Sequence, residues 1–153
     1  MLTLSQLLVL TQQDSRRFKV SYTLDALNAK AAEDNSGEFI QFSAVVIGGK
    51  EPRKSMVRLY GSDIDPGASS KVSCSCPYFR IRLAIPLYLA GSTEIRVGRD
   101  EIPEKYRGNQ RPGLCPHLLT LCESLLSMNS TEMDRLRQQS PRVSVNDRLR
   151  RLT

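Results

Sequence analysis

An α+β fold, a small antiparallel β-meander packed with helices, is what these 153 residues predict, and three features carry the prediction. Three short runs rich in β-branched and aromatic residues are joined by turn-sized connections. A leucine stripe at helical spacing marks LCPHLLTLCESLLSM, residues 114–128. All four cysteines and the only histidine fall in two short stretches, SCSCPYFRIR (Ser73–Arg82) and GLCPHLLTLC (Gly113–Cys122).

The elements follow in chain order. MLTLSQLLVLTQQD holds an apolar run, Leu7 to Leu10, that is far too short to span a bilayer. It has neither a basic leader nor a small-residue cleavage site, so export through a signal peptide and a membrane location are not expected. RRFKVSYTL (16–24) alternates and predicts a strand; DALNAKAAED (25–34) is alanine-rich and predicts a short helix begun by Asp25. NSG (35–37) breaks the chain. EFIQFSAVVIGG (38–49), SMVRLYGS (55–62) and KVSCSC (71–76) are the three runs that predict the meander. DIDPGASS (63–70) is a loop between the last two; Asp63 and Asp65 have too few oxygen ligands after them for a calcium loop.

YFRIRLAIPLYLAG (78–91) is long and apolar enough for a helix, with a kink or early stop at Pro86. STEIRVG (92–98) predicts a strand, and RDEIPEKYRGNQRPG (99–113) a polar loop in which Glu101 and Glu104 are solvated. In helix 114–128, Pro116 suits the first turn, where a missing N–H costs nothing. TEMDRLRQQ (131–139) is a further helix with Ser130 as its expected cap, and SPRVSVNDRLRRLT (140–153) a basic arm. The organisation expected is an N-terminal segment, 1–37, a core, 38–128, and a short helix with a basic tail, 129–153.

The paired cysteines carry the chemistry. Residues two apart on a strand face the same side, so Cys74 and Cys76 can present both sulfurs together. Two apart on a helix they diverge by about 200°. Cys115 and His117 therefore converge only if Cys115 precedes the helix and His117 lies in its first turn. Pro116 favours that break, because the residue before a proline is pushed out of helical conformation. Three thiolates and an imidazole suit zinc, so Cys74, Cys76, Cys115 and His117 are the expected ligands of a Cys3His zinc site around which meander and helices pack. Such a site carries a net charge of about −1, which Lys71, Arg80 and Arg82 are placed to offset. The competing reading is a set of core cysteines with one satisfied histidine, which leaves the two tight pairs unexplained. Cys122, seven residues after Cys115 in the leucine stripe, reads as a buried thiol; the alternative makes it a substitute ligand for Cys115 or His117.

A CxC on a strand followed by a CxH at a helix start, here separated by the 38 residues 77–114, resembles the SWIM zinc-finger pattern. The resemblance covers residues 71–126 and implies a β-hairpin and helix held by zinc. The spacer is longer than is usual in that family and has room for a helix of its own. The wording VSCSCPYF and RPGLCPHLL is most similar to small SWIM-like proteins encoded by tailed bacteriophages, which implies a minor component of a virion, in the particle or the host cytoplasm.

Catalysis is not expected. Four ligands close a zinc site, the single histidine is among them, and the chain has no GxxxxGK[ST] loop, HExxH helix or GxSxG elbow. The expected role is non-enzymatic: a zinc-binding structural protein whose termini contact other protein subunits, with no small-molecule substrate. With 22 Lys+Arg against 16 Asp+Glu the chain carries +6, so the alternative is a SWIM-like nucleic-acid-binding protein. Its candidate contacts, for nucleic acid or partner, are Lys50, Arg53, Lys54 and Arg58 on one hairpin and Arg148, Arg150 and Arg151 in the tail. Aromatics are not interleaved with these cations as stacking platforms would be.

Overall fold

The computed structural model describes residues 1–13, 22–61, 65–95 and 111–139. Helix α1 (Leu4–Gln13) leads into four strands, β1 (Thr23–Asp34), β2 (Gly37–Ile47), β3 (Arg53–Tyr60) and β4 (Ser70–Cys74). A π-helical segment, Phe79–Leu83, runs into α2 (Ala84–Leu89), and α3 (Pro116–Ser127) and α4 (Ser130–Gln139) follow. The strands lie in the order β1-β2-β3-β4, each antiparallel to the next, so the fold is the α+β meander that the sequence implies.

Alternation decides which face is buried. Phe42, Ala44 and Val46 of β2, Val57 and Leu59 of β3, and Val72 and Cys74 of β4 are buried. Val57 sits opposite both Phe42 and Val72 in the register. Onto this face pack Leu118, Leu121, Cys122 and Leu125 of α3, with Phe79, Leu87, Leu4 and Leu7 completing the core. The opposite face is polar at one end: Arg58 pairs with Asp34 (3.2 Å) and Glu94 (2.7 Å), Lys71 with Glu94 (2.9 Å), and Tyr60 donates to Asp34.

The helix expected over 25–34 is strand β1. Alanine favours helix only weakly, and here a full ladder to β2 outweighs it, setting Ala29 against Phe42 and Ala31 against Ile40. The register slips between Asp25 and Asn28, where Ala26 adopts φ +52° and forms a bulge. The boundary drawn at residue 37 falls at the turn of this hairpin, where Asp34 Oδ1 accepts from Ser36 N (2.7 Å). Of the strand expected over 16–24, Thr23 and Leu24 belong to β1 and residues 16–21 lie outside the described residues.

Two further expectations change, and the N-terminal run acquires an element. The apolar run near the N-terminus belongs to α1, which starts with a capping box: Thr3 Oγ1 accepts from Gln6 N, and Gln6 Oε1 accepts from Thr3 N. Ser92–Ile95 is not a strand; Ser92 is buried and closes the edge of β4 by accepting from Val72 N at its carbonyl and Leu2 N at its hydroxyl. The cap of α4 is Asn129 rather than Ser130, since Asn129 Oδ1 accepts from Glu132 N (2.8 Å) while its amide donates to Glu132. Residues 96–98, most of the loop 99–113 and the arm 140–153 lie outside the described residues. Among the described residues no helix is long and apolar enough to cross a membrane.

Candidate metal centre

Cys74 is the last residue of β4, and pairing with β3 continues one residue beyond it through Ser75 N to the carbonyl of Lys54 (3.0 Å). That extended stretch keeps Cys74 and Cys76 on one face. Cys76 precedes Pro77 and opens the helical stretch, its Sγ accepting from Phe79 N (3.3 Å) and its carbonyl from Arg80 N (3.3 Å). The second arm repeats the device. Cys115 is the N-cap of α3, extended at φ −73° and ψ 169°, with Pro116 in the first turn and Sγ accepting from Leu118 N (3.4 Å). Both Cys-Pro steps therefore aim the N–H groups at a helix start toward a sulfur, an arrangement that favours the thiolate.

These two arms meet. One ligand atom from each of Cys74, Cys76, Cys115 and His117 lies within 4.8 Å of all the others, and all four residues are buried. His117 Nδ1 stands 3.9 Å from Cys115 Sγ. Zinc with ordinary Zn–S and Zn–N bonds would span edges of about 3.6–3.8 Å, so the group is close to a tetrahedral coordination shell. The donor set and its spacing fit a metal ion.

Electrostatics point the same way. Hydrogen bonds from Cys115 and Cys76, aided by Ser55, hold Cys74 well below the usual thiol range. Burial, then the neighbouring sulfurs of Cys74 and Cys76, push Cys115 well above it. At Cys76 a hydrogen bond with Cys115 pulls downward, but the Cys74 sulfur and burial outweigh it, so that thiol is raised. Without a cation, the sulfurs oppose one another's ionisation: Cys74 is shifted down and Cys76 and Cys115 up. A divalent ion is what lets all three ionise side by side.

Two supporting contacts have no motif in the sequence. Ser55 lies directly opposite Cys74 in the β3–β4 register, is buried, and sets its Oγ 3.4 Å from Cys74 Sγ. Tyr22 meets the ring of His117 edge-on, with centroids 5.1 Å apart. Only cross-strand register and long-range packing bring these residues to the site. The Cys115-Pro116 step, by contrast, was legible as a helix start, and the structure shows Cys76-Pro77 to be a second one.

Other expected residues separate. Cys122 is fully buried and stands outside the four-residue group; burial, then Glu123, push its thiol up to about 12. It is a core residue. Lys71 does not offset the charge of the centre: it projects from the other face of the sheet into the Asp34–Glu94 pairs. Arg80 and Arg82 are exposed. The hairpin cations do not form one patch. Arg58 is committed to Asp34 and Glu94 and covers Phe39 at 4.4 Å, and Arg53 pairs with Glu51 (3.3 Å) and donates to the Ser75 carbonyl. Lys50 and Lys54 are exposed, and Arg148, Arg150 and Arg151 lie outside the described residues.

No protein-family model matches the chain, and neither a curated protein nor a solved structure shows significant similarity to it.

Proposed function

We propose that the chain is a zinc-stabilised, non-enzymatic interaction protein. The observation that carries the proposal is the buried Cys74–Cys76–Cys115–His117 group, in which a strand end and a helix start converge on one point. Four protein ligands fill a tetrahedral shell and leave no position for a metal-bound water, which favours a structural ion over a catalytic one. Zinc suits three sulfurs and one imidazole better than the oxygen-seeking ions do. The wording around the cysteines extends the proposal to a minor component of a tailed-phage particle, contacting neighbouring subunits through its termini. Nucleic-acid binding has less support, because Arg53 and Arg58 are already paired with carboxylates.

Metal analysis of the purified chain tests the centre: one zinc per chain is expected, and a cobalt-substituted sample should give the absorption of a tetrahedral thiolate site. A five-coordinate cobalt spectrum, or an exchangeable bound water, would replace the structural reading with a catalytic one. Binding to nucleic acid that weakens steeply with salt would move the role to the alternative.

A further inference from the structure

His117 turns Nδ1 toward the sulfurs, and its other ring nitrogen, Nε2, has no hydrogen-bond partner among the described residues. The residue is only 9% exposed. A metal-bound imidazole nearly always donates its second N–H to an acceptor, which fixes the ring and raises the basicity of the ligand. His117 lines a surface groove of about 200 Å³, together with Tyr22, Pro77, Tyr78, Pro116, Lys50 and Arg53. Lys50 makes no ion pair among the described residues, whereas Arg53 is paired with Glu51. Among the described residues, a buried ring nitrogen without a partner and a cation without an anion thus share one groove.

We propose that this groove receives a carboxylate from an acidic segment of a partner protein, which accepts from His117 Nε2–H and pairs with Lys50. The inference rests on the metal-centre reading above and names the partner chemistry of that same centre. One unpaired cation matches a single negative charge. A phosphate dianion would also face Glu51 at the rim and a centre of net charge about −1 beneath. The walls are largely apolar, so the aliphatic stem of a glutamate has surface to cover. Docking there would join the partner to the ion through one imidazole, so the metal would hold the fold together and also orient the contact.

The test uses the zinc-loaded full chain and blocked tripeptides with glutamate, glutamine or phosphoserine at the centre. Nitrogen-15 spectra of the histidine side chain follow His117 Nε2–H. The glutamate peptide should shift that resonance saturably, the glutamine peptide far less. Lys50→Ala should weaken the glutamate peptide about three- to fivefold and Lys50→Arg should restore it, with zinc content unchanged in both. An unmoved resonance in a chain that holds zinc overturns the docking inference alone, whereas a chain without zinc overturns the centre itself. Preference for the phosphoserine peptide, or equal response to glutamine, also overturns the carboxylate assignment.

Discussion

At the scale of the residue, three cysteines of one type have one fate and the fourth another, and burial alone does not separate them. Cys74, Cys76, Cys115 and Cys122 are all buried, but only the first three have other sulfurs and a histidine within reach. Cys76→Ser should therefore abolish metal binding and, with it, a stabilisation on the order of 10 kcal/mol, seen as loss of a cooperative melt. Cys122→Ala should keep full metal content and cost only about 1 kcal/mol in denaturant unfolding. Because the Cys122 thiol is raised to about 12, the stability it contributes is complete below its ordinary value near 9. That contribution falls as pH rises from there toward 12, so the parent should lose stability in that window more steeply than Cys122→Ala. Ser55→Ala removes the hydroxyl that donates to Cys74 among the described residues, and metal affinity measured by chelator competition should fall by about tenfold.

Elements are where local signals and long-range pairing competed. Helix α3 was legible because its leucine period, its first-turn proline and its cysteine cap all agree. Strand β1 was not, since DALNAKAAED has the composition of a helix and only the β2 partner makes it extended. Helix α1 carries a local signal, the Thr3…Gln6 capping pair before an apolar run. Thr3→Ala should cost about 1 kcal/mol of stability through that cap, leaving metal content unchanged. At the bulge of β1, Ala26 holds φ +52°, a conformation that disfavours a side chain. Ala26→Gly should be neutral or stabilising by up to about 1 kcal/mol, and a clear loss in thermal melts would show that the bulge is not strained.

For the whole molecule, an ion held at the candidate centre would tie the edge of the sheet to the helix that covers it. Removing metal with a chelator should loosen β4 and the start of α3 first, since each is pinned to the other through the centre, and hydrogen exchange should report both together. Binding should also be linked to protons. Cys76 and Cys115 are raised in the metal-free chain, so at neutral pH they hold protons that an incoming ion must displace. Apparent affinity should therefore rise with pH, with about two protons released per ion in a weakly buffered titration; release of none would contradict the thiol assignment.

The sequence by itself determined the four candidate ligand residues and the geometry each arm must adopt, because residue spacing and proline set those conformations within a few bonds. It determined the meander too, through period-two burial and turn chemistry. Tertiary structure decided what distance along the chain conceals: that β1 is extended, that Ser55 and Tyr22 stand beside the centre, and that Arg58 is already neutralised by Asp34 and Glu94. The pairings among these join residues from 3 to 95 positions apart, and only the folded register brings such pairs within reach of one another.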